Sequence, residues 1–469
     1  MRGLIFILIL LTVGPVGRAQ ETASEQPVRL VFTADYQRHL FGQDPVWGGW
    51  PDGSLSRALT YIEAHRKNSP PGCFGLFNTG PIPDIYRLPG YDLEQRIREY
   101  AHFQANTDTG ITKLGRLAFE TIRVSDSGIS TSRGKPADVT IGFFDRPAVS
   151  KEDVARTRGL DLAVIASGRE AEVFQVIDTE GDTVTVVNTG TTGKYIGVAD
   201  FRTARDFSVK VVDISGFPVN AEYEEHFKPL IDSLHAYYTE PLTVLEQTVH
   251  QSESLFGASA YTSLFHRFQR ETTGADVSFF ACPVWQDSIP AGTLNFRSVV
   301  RRFRYDNRLN VIELTGAEIK QYLEYTYGLR YNTMRRSTDD LLRMSRDRDG
   351  ILRPRTAVYN LDDAAGIRYE VDVSRPPGRR VRMLSMADGS PFDLSQRYRV
   401  AVNSHRLESG YLTRACGLSP EQISERALQY SSIDLRQALR AWLARQERIV
   451  PVNEQNWQVV PRSFVGGVP

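Results

Sequence analysis

The sequence predicts a chain of mixed α/β and α+β architecture with more than one domain, and three observations support this. Its 469 residues amount to roughly three typical domains. Apolar residues make up 41% and charged residues 24%, which is the balance of a globular chain and not of a disordered one. Strand and helix patterns alternate in the first half, whereas the second half mixes alternating strands with helices.

Short apolar runs separated by helical patterns organise the first half. Residues 28–34, 139–144 and 161–166 are continuous apolar runs of the kind found in buried strands. Ser54 is placed to cap the helix that follows the first of them. This order of elements predicts a layered α/β domain over residues 20–220.

The second half begins with a long helical pattern. Residues 221–252 predict a helix that connects two domains. Beyond it, residues 310–314 alternate as an antiparallel strand does, and the spacing of Thr315 and Glu318 is that of a capping box. These patterns predict an α+β domain over residues 253–469.

The net charge of the chain argues against polymeric nucleic acid as a partner. The 56 basic and 56 acidic residues cancel, so the chain has no overall positive charge with which to bind polymeric nucleic acid through its phosphates. Residues 334–350 are so highly charged that they predict a solvated helix or an insertion.

The first 19 residues have the pattern of an export signal. Arg2 precedes an apolar run over residues 4–13, and small residues lead to Ala19. Cleavage there predicts a periplasmic or secreted protein. No apolar run in the sequence reaches 18 residues, so we expect no transmembrane anchor.

The cysteines leave two possibilities open. The chain has three, Cys73, Cys282 and Cys416. An oxidising compartment permits a bridge between Cys282 and Cys416, and the alternative is three separate buried thiols.

Ordered motifs in the second half resemble a known family. They are Ile-Pro-Ala-Gly at 289–292, Tyr-Asp-Asn at 305–307, Leu-Thr-Gly-Ala at 314–317, Tyr-Asn-Leu-Asp at 359–362 and Val-Asn-Ser-His-Arg at 402–406. Together they are similar to the C-terminal domain of bacterial 5′-nucleotidases, and especially to the 2′,3′-cyclic-nucleotide 2′-phosphodiesterase/3′-nucleotidase branch. The resemblance implies a four-layer α/β/β/α metallophosphoesterase-like domain followed by a 5′-nucleotidase C-terminal α+β domain.

The resemblance also implies a nucleoside site in the C-terminal domain, where two aromatic rings sandwich the base. Tyr305 matches the first ring, Asn307 matches a polar residue beside it, and His405 stands where the family has the second ring. A half-buried strand tyrosine and a hydrogen-bonded loop histidine are the structural alternatives. Residues 281–286 lack the family's Gly-rich stretch with a basic residue, which puts phosphate recognition in doubt more than base recognition.

The family's first domain binds two metal ions, and most of the matching ligand positions are lost here. Asp35 is kept, but Gln37 replaces a histidine, Pro81 replaces the bridging aspartate, and Glu170 falls in the family's Gly-His-x-His motif. Residues 103–225 contain no histidine at all. A two-metal centre needs several ligands fixed in one geometry. The sequence therefore predicts a degenerate catalytic domain with no metal cofactor.

Three hypotheses about function remain open. The first is a non-catalytic relative that binds a nucleoside- or nucleotide-like ligand or an unknown protein partner. The second is an active phosphoesterase in which Asp35, His39, Asp84 and Glu170 hold a divalent metal pair. The third is a scaffold without a small-molecule ligand.

Overall fold

A computed structural model describes most of the chain. The described residues are 26–33, 39–78, 92–103, 110–124, 137–144, 149–303, 307–346, 350–428 and 434–465. The chain divides into two compact units, Met1–Leu234 and His235–Pro469. The predicted signal peptide at 1–19 lies outside the described residues. Within them, no helix has both the length and the apolar character needed to cross a membrane.

The first unit alternates strands and helices as the sequence predicts. Its elements are β1 (Val28–Thr33), α1 (Leu55–Asn68), β2 (Phe74–Asn78), α2 (Leu93–Ala101), β3 (Gly110–Leu114), β4 (Leu117–Val124), β5 (Val139–Phe144), α3 (Lys151–Ala155), β6 (Leu162–Ile165), β7 (Glu172–Ile177), β8 (Thr183–Asn188), β9 (Tyr195–Phe201) and β10 (Phe207–Asp213). Helix α4 (Ala221–Thr239) follows them. Ser54 caps α1 as predicted, because its side chain accepts a hydrogen bond from the Arg57 amide.

Two sheets form the centre of the first unit. One has the strand order β10-β9-β1-β2, and the other has the order β3-β4-β5-β6-β8-β7. Leu30, Phe32, Phe119 and Ile141 belong to one buried apolar cluster that both sheets share. Strands β4, β5, β6 and β8 run parallel, so their carboxyl ends lie at the same edge of the larger sheet.

The second unit combines short strands with helices. Its elements are β11 (Pro241–Leu245), β12 (Val249–His250), α5 (Ala260–Thr273), β13 (Val277–Phe280), β14 (Ser288–Ile289), β15 (Gly292–Asn295), α6 (Phe296–Val300), β16 (Leu309–Thr315), α7 (Gly316–Arg330), β17 (Met344–Arg346), β18 (Leu352–Pro354), β19 (Asp363–Ala365), β20 (Ile367–Asp372), β21 (Val381–Met386), β22 (Arg397–Asn403), α8 (Ser404–Glu408), α9 (Tyr411–Cys416), α10 (Pro420–Arg426), β23 (Ala427–Leu428), α11 (Leu435–Leu443), β24 (Arg448–Ile449) and β25 (Trp457–Val460).

A five-stranded sheet is the framework of this unit. Its order is β19-β13-β22-β16-β23, and a three-stranded sheet, β21-β20-β25, shares a buried cluster with it. Helix α7 begins with the predicted capping box. The Thr315 side chain accepts from the Glu318 amide at 3.2 Å, and the Glu318 carboxylate accepts from the Thr315 amide at 2.8 Å.

One predicted helix is shorter in the structure, and one highly charged segment is not helical. The helix predicted over 221–252 ends at Thr239, and Pro241–Leu245 is a strand between β15 and β24. Proline cannot continue a helix interior, and the β-branched Thr243 and Val244 favour a strand after it. The charged segment 334–350, for which the sequence predicts a solvated helix or an insertion, is not helical where it is described, and Met344–Arg346 pairs with Leu352–Pro354 as antiparallel strands.

Of the two possibilities for the cysteines, the structure shows separate thiols, because Cys73, Cys282 and Cys416 are all free. The Cys282 sulfur lies 3.4 Å from the Ser254 hydroxyl, and the Cys416 sulfur lies 3.4 Å from the Glu318 carbonyl oxygen. Burial raises the pKa of each thiol to about 12. At neutral pH both are therefore protonated and poorly nucleophilic.

A glycine marks the point where the chain leaves the five-stranded sheet for the three-stranded one. Gly366 lies between β19 and β20 with φ +89°, and a Cβ there would lie 2.0 Å from the Asp276 carbonyl oxygen. The position therefore requires glycine for its backbone conformation and for its close approach to the neighbouring backbone.

We predict that Gly366→Ala destabilises the second unit by about 3 kcal/mol or more, since it adds a backbone clash to an unfavourable φ. Gly378→Ala is the matched control, because Gly378 has φ +87° but nothing within 4 Å of a Cβ. The control should cost about 1–2 kcal/mol. Urea unfolding of the full chain measures both, and equal losses would show that the close approach contributes nothing.

Candidate functional site

The second unit contains a cavity of about 840 Å³. It lies where the segment after β13, the loop before β16, the segment after β18 and the start of α8 meet. Its lining residues are Gln269, Phe280, Ala281, Pro283, Val284, Trp285, Arg302, Phe303, Asn307, Arg353, Pro354, Arg355, Ala357, Val358, Tyr359, Asn403, His405 and Leu435. A volume of this size accommodates a small organic molecule.

Aromatic side chains form much of the cavity wall, and packing fixes two of them. Phe280 stacks on Phe265 with ring centroids 4.7 Å apart, and Phe303 meets the same Phe265 ring edge-on at 5.4 Å. Trp285 and Tyr359 also line the cavity. Flat rings of this kind can stack on a nucleobase.

A buried polar network holds one amide at the wall. Gln269 is 3% exposed, and its Oε1 accepts a hydrogen bond from the Ser278 hydroxyl at 3.0 Å. The Ser278 hydroxyl in turn contacts His266 Nδ1 at 2.5 Å, and His266 Nε2 lies 2.9 Å from Asp363. The network fixes the orientation of Gln269, which sequence reasoning did not single out because no motif marks it.

Two of the three predicted ligand residues line the same cavity. Asn307 is fixed because its carbonyl oxygen accepts from the Leu435 amide at 2.7 Å and its side-chain oxygen accepts from the Ser404 hydroxyl at 3.3 Å. His405 lies in α8, and Tyr305 lies outside the described residues. A ligand-binding role for these residues stays a prediction.

The surroundings of the His405 ring favour its neutral form. Burial lowers the pKa of His405 below its ordinary value of 6.5, and the neighbouring Arg406 charge lowers it further. Its centroid lies 6.3 Å from that of Tyr411. A neutral imidazole at the wall presents a flat ring without a positive charge, which suits stacking on an uncharged base.

A buried ion pair joins two sides of the cavity. Arg406, 1% exposed, donates from Nε to Asp362 Oδ2 at 2.6 Å and from Nη2 to Asp362 Oδ1 at 3.0 Å. The same guanidinium donates to the Tyr359 carbonyl oxygen at 2.5 Å. Tyr322 adds a hydroxyl bond to Asp362 at 2.5 Å. The pair therefore holds His405, on α8, against the turn that carries Tyr359.

Three arginines line the cavity. Arg302 is bonded to Asp287 and to backbone carbonyls, so its charge is balanced locally. Arg353 and Arg355 come from β18 and the residue after it, and both are exposed. The sequence motifs did not single out Arg353 or Arg355, because the family carries its basic residue in the segment that matches 281–286, where this chain has none.

Two of the four residues of the hypothetical rebuilt metal site, His39 and Glu170, are among the described residues. His39 Nδ1 is bonded to the buried Asp44 carboxylate at 3.0 Å, and Glu170 is exposed. Asp35 and Asp84, the other residues of the hypothetical rebuilt site, lie outside the described residues. Neither His39 nor Glu170 belongs to a described group of three or more possible metal ligands.

One acidic cluster occurs among the described residues, and it lies elsewhere. Asp178, Glu180 and Asp182 offer oxygens within 4.8 Å of one another in the turn between β7 and β8. Glu170 follows β6, whereas Asp182 precedes the parallel β8, so they lie at opposite edges of the sheet. Burial alone would raise the pKa of Asp178, but backbone amides, that of Asp182 first, hold it below its usual range.

Residues 239–414 match the family model of the 5′-nucleotidase C-terminal domain. The trifunctional nucleotide phosphoesterase protein YfkN of Bacillus subtilis is 23% identical over 361 residues, covering 66% of this chain and 24% of that protein. The 2′,3′-cyclic-nucleotide 2′-phosphodiesterase/3′-nucleotidase of Salmonella typhimurium is 25% identical over 190 residues, covering 37% of this chain and 27% of that protein. The chain thus spans about a quarter of the length of these curated relatives.

Solved structures share the fold over nearly the whole chain. A Staphylococcus aureus crystal structure described as a 5′-nucleotidase has a TM-score of 0.62 at 15% identity and covers 92% of this chain and 99% of its own. The Thermus thermophilus 5′-nucleotidase precursor has a TM-score of 0.51 at 14% identity, with 93% and 99% covered.

These likenesses define the class as the two-domain fold of the 5′-nucleotidases, a metallophosphoesterase-like domain followed by the C-terminal domain, and they confirm the predicted fold class. Residues 239–414 match the 5′-nucleotidase C-terminal domain, as the sequence motifs predict.

We predict that Arg406→Met destabilises the second unit by about 3–5 kcal/mol, because it leaves the Asp362 carboxylate buried without its cation. The double variant Arg406→Met/Asp362→Leu should recover part of this loss, since no unpaired charge then remains. Arg382→Met is the control, because Arg382 is 68% exposed and pairs with Glu370 at the surface. It should cost at most about 1 kcal/mol in denaturant unfolding. A small loss in Arg406→Met would contradict the role of the pair.

Proposed function

We propose that this protein is an exported member of the 5′-nucleotidase family that binds a nucleoside or nucleotide in its second unit and hydrolyses phosphate esters weakly or not at all. The observation that carries the binding proposal is the cavity, which combines aromatic rings, fixed amides and arginines. Those are the groups that stack on a base, hydrogen-bond its edges and balance phosphate charge.

The proposal that hydrolysis is weak or absent is supported by the residues that stand at the family's metal-ligand positions. Without a bound metal, a phosphoesterase of this class lacks the ion that lowers the pKa of water and stabilises charge on the phosphoryl oxygens. Gln37, Pro81 and Glu170 stand where the family's ligand motifs fall. The N-terminal pattern at 1–19 supports export to the periplasm or the exterior.

An active phosphoesterase is the second candidate, and the names of the relatives favour it. The curated proteins that this chain matches are described as nucleotide phosphoesterases. In that case Asp35, His39, Asp84 and Glu170 would hold the divalent metal pair. Metal content and hydrolysis together distinguish this candidate from the first.

We predict that the full chain, purified without chelators and dialysed against Mn²⁺ or Zn²⁺, retains less than one metal equivalent and does not hydrolyse AMP, 3′-AMP or 2′,3′-cyclic AMP. A two-metal site would retain about two equivalents. Two equivalents together with hydrolysis that Asp35→Ala abolishes would establish the active phosphoesterase instead.

The acidic turn of the first unit needs its own control in that experiment. If the unmodified protein retains one equivalent of metal and Glu180→Gln/Asp182→Asn retains none, the metal is bound at the β7–β8 turn. That turn is not one of the positions that match the family's ligand motifs. Such metal without hydrolysis would leave the proposed function standing. The two substitutions are exposed, so they should not affect folding.

We predict that adenosine binds the full chain and that His405→Ala weakens binding about 5- to 100-fold, since a base–aromatic stack is worth roughly 1–3 kcal/mol. His405→Phe should bind at least as tightly, because it offers a larger ring. His235→Ala is the control, since His235 is exposed and does not line the cavity. Isothermal titration calorimetry measures the affinities. If adenosine does not bind the unmodified protein, the scaffold without a small-molecule ligand becomes the favoured hypothesis.

A further inference from the structure

We propose that the first unit contains a separate ligand site, a small cavity that binds an organic carboxylate with a compact apolar body. The cavity has a volume of about 260 Å³. It is lined by Arg66 at the end of α1, by residues 69–72, by Phe74 and Leu76 of β2, and by His102 after α2. This inference does not rest on the proposed function, whose ligand cavity lies in the second unit.

The cavity lies beside the amino end of β2. Strands β1 and β2 are parallel, so their amino ends lie at one edge of the sheet and their carboxyl ends at the other. The segment 69–72 precedes β2, whereas Asp35 and Pro81 follow β1 and β2 in the sequence. The described lining of the cavity therefore contains none of the positions that match the family's metal ligands.

A half-buried guanidinium supplies a positive charge. The Cζ atom of Arg66 lies 5.4 Å from the centroid of the Phe74 ring, and its Nη2 donates to the Ala101 carbonyl oxygen at 2.7 Å. This is the only hydrogen bond of the guanidinium to a described residue. Since a guanidinium has five N–H donors, most of them remain available, and their fork geometry matches a carboxylate.

No carboxylate among the described residues pairs with Arg66. The described lining of the cavity contains no aspartate and no glutamate. Burial lowers the pKa of Arg66 below its ordinary value, and the charge of Glu63 offsets this effect only in part. The Glu63 carboxylate accepts a hydrogen bond from the Asn220 side chain at 3.1 Å. An anion in the cavity would therefore stabilise the charged form of the guanidinium.

His102 adds a polar ring in an uncommon backbone conformation. It follows α2 with φ 52°, in the left-handed region that residues other than glycine seldom occupy. Within the described ranges its imidazole has no hydrogen-bond partner. Residues held in such conformations often lie at ligand sites. An imidazole nitrogen can donate a hydrogen bond to the carboxylate that Arg66 binds.

The rest of the wall is apolar. Phe74 and Leu76 are alternate residues of β2 and therefore face the same side of the strand. The turn that carries Pro70 and Pro71 is held in place because the Cys73 amide donates to the Pro70 carbonyl oxygen at 3.0 Å. A cavity of roughly 150 Å³ is enough for benzene. The larger volume here accommodates a ring with a carboxylate, and an inorganic anion would gain nothing from the apolar wall.

The test uses benzoate as the probe in calorimetry on the full chain at fixed ionic strength. We expect benzoate to bind and Arg66→Met to weaken binding about 10- to 100-fold, the effect of losing charge-assisted hydrogen bonds. Arg66→Lys, which keeps the charge but loses the fork, should weaken binding less. His102→Asn, which tolerates the left-handed backbone, should also weaken it. Urea unfolding checks that each variant is folded.

Lys67→Met is the matched control, because Lys67 is exposed at the same end of α1 and does not line the cavity. It should leave benzoate affinity unchanged, and a loss equal to that of Arg66→Met would overturn the inference. Benzamide or inorganic phosphate that binds as tightly as benzoate would also overturn it. So would benzoate that adenosine displaces, because it would then lie in the cavity of the second unit. Absence of benzoate binding would overturn this inference and leave the proposed function intact.

Discussion

The pair between Arg406 and Asp362 is the interaction on which the candidate site depends. Two buried charges are costly unless geometry and further hydrogen bonds compensate them. Here both guanidinium contacts to the carboxylate are made, Tyr322 adds a hydroxyl, and the Tyr359 carbonyl oxygen accepts a further bond. Because the partners come from α8 and from the turn before β19, the pair fixes two cavity walls at once. The cavity is therefore formed before any ligand arrives, which lowers the entropy cost of binding.

The first unit illustrates the opposite relation between fold and site. Its core is the apolar cluster between two sheets, to which residues such as Phe32 and Ile141 contribute. Glu170, which is described and falls in one of the family's ligand motifs, is exposed and contributes nothing to this core. Carboxylates that lie close together without a metal ion between them repel one another, so replacing them also removes an unfavourable electrostatic energy. Loss of the ligands and retention of the fold are thus physically compatible.

The sequence predicts those parts of the structure that local patterns determine. Apolar runs locate β1, β5 and β6, and the capping-box spacing locates the start of α7. The helix expected to reach residue 252 fails because strand pairing with β15 and β24, which lie far along the chain, decides the conformation after Pro241. The choice between a bridge and separate thiols stayed open for a related reason: Cys282 and Cys416 each lie beside a local polar group, and spacing in the sequence does not tell where either lies.

The cavity shows why a site can be only partly predicted. Asn307 and His405 are found because motifs carry them, whereas Gln269 becomes visible only when α5 packs beside β13 and the Ser278 hydroxyl fixes its amide. No motif in the sequence marks Arg353 or Arg355, and the net charge of the chain is zero. Net charge is a sum over the whole surface, but a ligand responds to the charges within about 10 Å, the distance over which salt screens them. A chain with no net charge can therefore have several arginines around one cavity, and only the fold shows which arginines these are.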